Sequence, residues 1–421
     1  MKNPWLKSLS AALALAACFT TTVARAQGSL TPPAGPPAPT MKSLDQIEPR
    51  IDLQHAPASA VNTSDEDFHY VITQPGSYYL TGNIAVTKPS AIRIGAEGVT
   101  LDLNGFQISR AVDSGGTGIE ILATAHRAAV RNGTIKGFQF GVHCIFFSDY
   151  ARGCAYRDLA VSDCTEGAIY AGKGAVLESC RVHNNSGLYG IWTSAACTLN
   201  NCTAVSNAVT SAIVVNFSSV ARGCVANNNM CQYGFTANEG NTLINCVAYD
   251  NTGASTPSAG FDLGNGSTVI QCNAYQNRTS LINTSSTGVG YILGAGSTIQ
   301  ECNASRNSGD GIRIGTGSVA RNNVCDSNGN DGVGAGIHAI TTGTQIEGNL
   351  VSLNDRGIEV TGTGNTIFKN RAHANGINYV IAADNVFGAI VDRTAPASAA
   401  VSGNTAASSA GTTDPWANFA H

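Results

Sequence analysis

The stretch Ser297-Thr-Ile-Gln-Glu-Cys302-Asn-Ala-Ser-Arg-Asn307, followed closely by Gly311-Ile-Arg-Ile314, recurs along most of this chain. Its central position is occupied mainly by Cys in the middle of the chain and by Asn towards the end. The members of this column are Asn104, Gly133, Leu159, Cys180, Cys202, Cys224, Cys246, Cys272, Cys302, Asn323, Asn349 and Asn370. Most steps between them are 21 to 30 residues. A repeat of this length, built from short alternating strands, predicts a solenoid.

Each repeat contains three short strand patterns separated by Gly or Asn turns. It lacks the regular leucines and the helical stretch of a leucine-rich repeat. We therefore predict an all-β chain, a single-stranded right-handed parallel β-helix of about twelve rungs. In Cys302-Asn-Ala304 the alternation places Cys302 and Ala304 inward and Asn303 outward. The Cys/Asn column is then an internal stack, in which Asn amides bond between rungs and Cys acts as a small apolar filler.

The chain contains thirteen cysteines, which in a secreted protein would ordinarily indicate disulfides. Stacked cysteines have Cα atoms about 4.8 Å apart, but their parallel Cβ vectors keep the Cβ atoms beyond the usual ~3.5–4.5 Å. Disulfides within the column are therefore disfavoured. No CxxC is present to support a thiolate metal site. Among the cysteines off the column, no evident partner exists for Cys144, Cys154, Cys164, Cys197 and Cys231.

Residues 1–26 have the features of a secretory signal peptide, with Lys2 and Lys7 before an apolar core and a cleavage site at Ala24-Arg-Ala26. The competing reading is a bacterial lipobox at Leu15-Ala-Ala-Cys18, which would tether the protein to a membrane. We expect cleavage near Ala26 and a secreted, periplasmic or cell-surface protein, with a membrane partner only if Cys18 is lipidated.

Proline-rich residues 27–66 are predicted to be a linker, residues 67–393 the β-helix, and residues 394–421 a tail that caps the solenoid. Hydrophobic residues make up 43% of the chain, which argues against disorder although only 12% of residues are charged. The net charge is −4 and there is no basic run, so a nucleic-acid partner is not expected. We expect a monomer.

The register of the repeat also predicts an outward column on the strand after the Asn turn. Its members are Glu120, His143, Tyr170, Trp192, Val214, Thr236, Asp262, Ile292, Arg313, His338 and Glu359. The next outward position carries smaller residues, so that the two columns together could form a groove. The alternative is that this face is ordinary solvated surface.

A first patch in the outward column consists of Glu120, His143, Tyr170 and Trp192, with Lys173 just past its strand. Tyr170 and Trp192 could stack on sugar rings. Eliminative cleavage of a uronic-acid polymer needs a base, an acid and a group that neutralises the carboxylate. We assign these catalytic roles to His143, Tyr170 and Lys173, in that order, with Glu120 and Trp192 binding substrate.

A second patch consists of Asp262, Arg313, His338 and Glu359, which we predict to bind substrate. His338 and Glu359 could share a metal ion, although two ligands make a poor site, and we expect no metal there. Asp262 and Glu359 are four rungs apart, roughly 19 Å, which is too far for the paired carboxyls of a glycosidase. Acidic residues in loops, such as Asp310 and Asp331, leave hydrolysis disfavoured but open.

Three stretches resemble rungs of the right-handed parallel β-helix, or pectate-lyase-like, superfamily: Gly98-Val-Thr-Leu-Asp-Leu-Asn-Gly105, Arg131-Asn-Gly-Thr-Ile135 and Asp310-Gly-Ile-Arg-Ile314. Ile47-Glu-Pro-Arg50, Gln74-Pro-Gly-Ser-Tyr-Tyr-Leu-Thr-Gly82 and Pro415-Trp-Ala-Asn-Phe419 are similar to secreted bacterial β-helix proteins of unassigned function. The resemblance implies carbohydrate chemistry and allows a calcium ion, for which no site is identified. The Asn-Thr-Asp and Gly-His-Gly motifs of polygalacturonases are absent from the sequence, so no catalytic residue is carried over.

Two functions follow from the sequence. The first is a secreted protein that binds an extended polysaccharide along its first sheet and cleaves it as a polysaccharide lyase. The second is a non-catalytic adhesion or structural solenoid that binds a cell-surface glycan through the same face. No cofactor is required by either.

Overall fold

The computed structural model describes residues 50–110, 115–144, 150–253, 257–280, 288–329, 333–392 and 413–420. The predicted signal peptide, the Cys18 lipobox, residues 27–49 of the predicted linker and residues 394–412 of the predicted tail lie outside these ranges, as does Asp331. The described unit begins at Arg50. No helix among these residues is long and apolar enough to cross a membrane.

The chain forms a right-handed parallel β-helix of about 13 turns, which confirms the predicted fold class and agrees closely with the predicted twelve rungs. Each complete turn contributes one strand to each of three ladders. The front ladder, which carries the predicted outward column, consists of Phe68–Ile72, Ser90–Ile94, Thr117–Ile121, Phe140–Cys144, Gly167–Ala171, Ser186–Thr193, Ala208–Val215, Met230–Ala237, Ala259–Leu263, Val289–Leu293, Ile312–Ile314, Ala335–Ala339, Arg356–Val360 and Ile377–Ile381.

The second and third ladders complete each turn. The second consists of Gly76–Tyr79, Val99–Asp102, the first halves of Ala129–Lys136 and Ala155–Ser162, then Val176–Glu178, Thr198–Asn200, Val220–Arg222, Thr242–Ile244, Thr268–Ile270, Thr298–Gln300, Val319–Arg321, Gln345–Glu347, Thr366–Phe368 and Val386–Phe387. The third consists of Ile84–Val86, Gln107–Arg110, the second halves of the same two long strands, then Arg181–His183, Thr203–Val205, Val225–Asn227, Val247–Tyr249, Asn273–Tyr275, Asn303–Ser305, Val324–Asp326, Leu350–Ser352, Arg371–His373 and Asn418–Ala420.

Five short strands and one turn lie at the ends or rims. Thr252–Gly253 and Arg278–Thr279 extend the rim of the front ladder, and Ile390–Asp392 pairs with Asn418–Ala420. At the other end, Ile51–Asp52 pairs with Tyr78–Tyr79, a 3-10 turn covers Leu53–His55, and Val61–Asn62 runs antiparallel to Phe68–Ile72.

Residues 50–66 therefore belong to the solenoid, although they were assigned to the predicted linker. The apolar side chains of Leu53 and Val61 are buried. A turn holds this segment together, because the carbonyl of Pro57 accepts hydrogen bonds from the backbone N–H groups of Ala60 and Val61. The proline-rich composition hid these buried positions, and the β-helix unit begins earlier than the predicted residue 67.

Each turn of the solenoid bends at three corners, where one residue takes the left-handed backbone conformation and the next points inward. Asn201, Ser206 and Ser218 have φ angles of +52°, +55° and +53°, and each is followed by a buried residue. Non-glycine residues seldom adopt this conformation. It is maintained here because the inward side chains bond from turn to turn.

The predicted Cys/Asn column occupies one corner, with Cys302 and Asn323 both buried in it. The backbone N–H of Cys302 donates to the Asn323 Oδ1 at 3.0 Å, so the column changes from thiol to amide without a break. All twelve described cysteines are buried, and none forms a disulfide. The placement of Asn104 in this column was wrong: Asn104 is exposed with φ +52°, and Leu103 takes the inward position.

A second, unbroken asparagine ladder was not predicted, although Asn307 ends the repeated stretch. Its members are Asn185, Asn207, Asn229, Asn251, Asn277, Asn307, Asn328, Asn354 and Asn375. Asn229 is typical: its Nδ2 donates to the Asn251 Oδ1 at 2.9 Å and to the Ala204 carbonyl at 3.0 Å. Because the amides satisfy one another, polar side chains line the core at little cost.

Apolar stacks fill the space between the ladders. The rings of Phe235, Phe261 and Tyr291 lie one above another on successive turns, with centroids 4.8 Å apart. At the end of the chain, Asn418 adds a further member to the Cys/Asn column, because its Oδ1 accepts from the Asn370 backbone N–H at 3.0 Å. The interior is thus a regular support, and the chemistry that varies from turn to turn lies on the outer faces.

Candidate functional site

The predicted outward column is in register along the front ladder. Strand pairing joins Arg93, Glu120, His143, Tyr170, Trp192, Val214, Thr236, Asp262, Ile292, Arg313, His338, Glu359 and Val380 as successive neighbours. We call this row the front column. Every residue assigned to it from the sequence occupies the expected position.

A second outward row, the flank column, lies three residues before the front column in each strand. Its members include Phe140, Gly167, Tyr189, Ser211, Tyr233, Ala259, Val289, Asp310, Ala335 and Arg356. The sequence analysis missed this row. The sequence does contain a pattern that marks this row. Each member lies three places before a front-column residue and is followed by a Gly or Ala, and that following residue must be small. At Gly234, for example, a Cβ would lie 2.7 Å from the Gly260 carbonyl oxygen.

The aromatic members of the front column form one continuous stack. The His143 ring lies parallel to that of Phe140 at 4.5 Å and meets the edge of Tyr170 at 5.5 Å. Tyr170 stacks on Trp192 with centroids 5.8 Å apart. Tyr170 is only 5% exposed, because its ring lies between its neighbours. Trp192 is half-buried and keeps part of its ring surface exposed, and the Tyr150 ring lies beside it at 6.3 Å.

Burial changes the proton affinity of this stack. It lowers the pKa of His143 to about 4, so the imidazole is neutral at pH 7 and can accept a proton. Burial also raises the pKa of Tyr170 far above its usual range, which keeps the phenol protonated. These states suit the assigned base and acid. Lys173, the assigned neutraliser, lies exposed in the turn after the strand, and no ion pair joins it to another described residue.

Glu120 follows Arg93 in the front column and makes a structural contact with it. Its carboxylate accepts a hydrogen bond from the Arg93 Nε, and the Arg93 guanidinium lies 3.9 Å from the centroid of the Phe68 ring. Glu120 is almost fully buried. The contact neutralises Glu120 from the adjacent rung, so this residue does not present an uncompensated charge to a ligand.

The central stretch of the face differs from both ends, since it is polar but almost uncharged. It combines Trp192, Val214, Thr236, Asp262 and Ile292 of the front column with Tyr189, Ser211 and Tyr233 of the flank column. The Ser211 and Thr236 hydroxyls lie 2.9 Å apart. At the other rim, Asn238 donates to the Asn216 side-chain oxygen.

Asp262 stands apart within this stretch. It is half-buried, and no hydrogen bond or ion pair to another described residue holds its carboxylate. Burial without compensation raises the pKa of Asp262 from 3.8 to about 6. The Tyr233 hydroxyl is close enough to sense this charge. Burial, and then the Asp262 carboxylate, raise the pKa of Tyr233 to about 12.

A shallow pocket of about 330 Å³ opens at the rim of the same strands, between Gly187, Val209 and Gln232. The Gln232 Nε2 donates to the Tyr233 hydroxyl at 3.1 Å and to the Pro257 carbonyl at 2.8 Å. The second contact places Pro257 against this rim.

At the end of the front column, the charged side chains bond mainly to charged residues of the flank column. Asp310, which is 0% exposed, accepts from the Arg313 Nη2 at 2.7 Å and bonds the His338 Nδ1 at 3.0 Å. The Arg356 Nη1 donates to both Glu359 oxygens at 2.9 Å. The His338 Nε2 faces the Glu359 Oε2 at 3.8 Å, beyond hydrogen-bond distance, and has no other partner among the described residues.

Arg313, His338 and Glu359, predicted to bind substrate, are thus brought together, but mainly by contacts to one another and to the flank column. Asp262 is three or four rungs from His338 and Glu359 and does not join them. Among the described residues, no group of three or more His, Cys, Asp and Glu side chains could hold a metal ion. Calcium prefers several oxygen ligands. The carboxylates here are bonded to cations or, at Asp262, stand alone, so they do not fit calcium.

Comparison with known proteins finds similar solved structures, all at low sequence identity. No family model matches the chain, and no curated protein matches it. Among solved structures, it is similar to the A-module of mannuronan C-5 epimerase AlgE4 from Azotobacter vinelandii, with a TM-score of 0.48 and 16% identity over 75% of this chain and 91% of that one.

Two further solved structures are similar at a lower level. A variant of the periplasmic alginate epimerase AlgG gives a TM-score of 0.43 and 10% identity, covering 76% of this chain and 83% of that one. PfbA, a surface adhesin of Streptococcus pneumoniae, gives 0.34 and 11%, covering 73% and 82%. At these identities and TM-scores, the similarity says nothing about what this chain binds.

Proposed function

We propose that this protein binds a linear polysaccharide along its front column, outside the cytoplasm. The central stretch carries the proposal: five neighbouring front strands present hydroxyl, amide and aromatic side chains in straight rows with a single charge. Sugars are recognised through this combination, because hydroxyls exchange hydrogen bonds while the apolar faces of the ring pack on an aromatic side chain. Trp192 supplies that aromatic surface. The cleavable signal predicted at residues 1–26 supports a secreted or periplasmic location.

The test is Trp192→Ala, measured by affinity electrophoresis and calorimetry with a panel of neutral, acidic and amino polysaccharides. Losing a stacking ring costs about 1–2 kcal/mol, so we expect roughly tenfold weaker binding to any polymer that the protein retains. The matched control is Tyr275→Ala. Tyr275 forms an aromatic pair with Tyr249 on the third ladder, with centroids 5.4 Å apart. Equal binding by the Trp192 variant would exclude the front face.

A second candidate is eliminative cleavage of a uronic-acid polymer, favoured by His143 and Tyr170. Their rings are in edge contact, with a neutral imidazole to take the proton and a protonated phenol to return one to the leaving oxygen. Lys173 would need to approach the substrate carboxylate from its turn. We expect a lyase to produce an ultraviolet-absorbing unsaturated uronate, and His143→Gln to abolish that product while binding persists. If the protein binds uronate polymers but forms no unsaturated product from any of them, the non-catalytic adhesive alternative is favoured.

A further inference from the structure

The charge distribution on the central stretch carries an inference about the ligand. Five consecutive front strands, from Ser186–Thr193 to Val289–Leu293, contain one charged side chain, Asp262. The intervening strands are Ala208–Val215, Met230–Ala237 and Ala259–Leu263. Asp262 is therefore the one charged residue of these five strands.

The remaining charges of the front column are compensated from neighbouring positions. Glu120 is paired with Arg93, Arg313 with Asp310, and Glu359 with Arg356. Asp262, by contrast, makes no ion pair and no hydrogen bond with any other residue in the described ranges. A half-buried carboxylate without a partner is unfavourable for the folded protein. Such a group is commonly found where a ligand supplies the missing partner.

The groups that face Asp262 do not supply a cation. Thr236 and Ile292 flank it within the front column, and Tyr233 approaches from the flank column. Beyond the strand end lies Glu239, which is exposed and negative. Arg313, the cation of the same column, lies two rungs away and is paired with Asp310. At the strand rim, the Arg278 guanidinium lies 3.7 Å from the Asp250 carboxylate. The local field is negative, so a uronate carboxylate would be repelled, whereas an ammonium group would be attracted.

We propose that Asp262 recognises the protonated amine of an amino-sugar residue in the bound polysaccharide. The proposal rests on the polysaccharide-binding function and specifies its substrate class. Trp192 lies three rungs away in the same column, about 14 Å, so one short glycan can reach both side chains. A sugar ring of the ligand stacks on Trp192, and the ligand's ammonium group pairs with the Asp262 carboxylate. The ligand thereby supplies the counter-charge that the described residues do not.

The experiment compares three oligosaccharide probes of equal length: a fully deacetylated glucosamine oligomer, its N-acetylated counterpart and an oligouronate. A charge-assisted hydrogen bond in a half-buried site predicts about tenfold tighter binding of the deacetylated oligomer near pH 6.5. Asp262→Asn should remove that preference and leave binding of the N-acetylated oligomer unchanged. Asp163→Asn, which removes an exposed carboxylate outside the front column, is the control and should keep the preference.

The pH dependence provides an independent readout. Ionisation of Asp262, with its pKa of about 6, should strengthen binding of the deacetylated oligomer as the pH rises from about 5 towards 7, until the sugar amine itself loses its proton. Asp262→Asn should not show that rise. Tightest binding of the oligouronate, weakening as the pH rises through about 6, would overturn the proposal, because Asp262 would then act as a protonated acid.

The outcomes separate this inference from the function on which it rests. Equal binding of the deacetylated and N-acetylated oligomers refutes the role of Asp262 and leaves polysaccharide binding in place. Failure of all three probes, together with the polysaccharide panel, refutes the binding function itself. A preference for the deacetylated oligomer that survives Asp262→Asn would place amine recognition elsewhere and also refute the role of Asp262.

Discussion

Replacing Asp262 with Asn should stabilise the protein at neutral and alkaline pH but not in acid. The pKa of the Asp262 carboxyl is raised from 3.8 to about 6 by burial, so the folded protein holds a proton that the unfolded chain releases. Stability from this group is therefore fully present below about pH 4 and is lost as the pH rises through 6. A shift of about two pKa units corresponds to about 3 kcal/mol, which is the upper limit of the gain in the variant.

The assay is urea unfolding of both proteins at a series of pH values between about 4 and 8, followed by circular dichroism. The difference in stability between variant and wild type should be near zero at the acidic end and reach about 2–3 kcal/mol above pH 7. Asp163→Asn is the matched control, since Asp163 is exposed and 3.5 Å from Lys136. A difference that does not change with pH, or a variant that is less stable at pH 8, would refute the assignment of an uncompensated carboxylate.

Three further predictions concern the stack, the core ladder and the thiols. Burial lowers the pKa of His143 to about 4, so the stability that its neutral imidazole contributes is lost as the pH falls from about 6.5 to 4. In the same urea series, His143→Gln should therefore reduce the loss of stability in acid. An unchanged slope of stability against pH would contradict a buried neutral imidazole. Asn229→Ala should cost about 2–4 kcal/mol, because it removes two amide donors and leaves buried partners unsatisfied. The control is Asn303→Ala, on the outside of the third ladder, which should cost only a few tenths of a kcal/mol. Equal losses of stability for the two variants in thermal unfolding would refute the stabilising role of the asparagine ladder. The twelve described cysteines are buried, so an aromatic disulfide reagent should label them only after denaturation, and rapid labelling of the native protein would contradict their burial.

The front column shows how far repeat analysis can reach into a site. Alternation along Cys302-Asn-Ala304 and the spacing between repeats were sufficient to place residues from Glu120 to Glu359 in one row. The same reasoning failed at Asn104, because Leu103, one residue earlier, takes the inward position. It also missed the second asparagine ladder, because it treated Asn307 only as the end of the repeated stretch.

The chemistry of that row depends on contacts that no local pattern contains. Asp310 and His338 are 28 residues apart, and only the stacking of turns brings the Asp310 carboxylate to the His338 ring. The same stacking packs Tyr170 between rings, which removes its face from the surface. It also leaves Asp262 without a partner among the described residues, although the sequence alone does not distinguish Asp262 from Glu359.

The sequence by itself determined the solenoid, the inward and outward faces and the order of side chains along the front column. It could do so because each property follows from a two-residue alternation repeated at every turn. The tertiary structure alone decided which charges are neutralised, how deeply each group is buried and hence which protons it holds. Those properties depend on neighbouring side chains one turn away. Such neighbours are far apart in the sequence, and the loops that separate them differ in length.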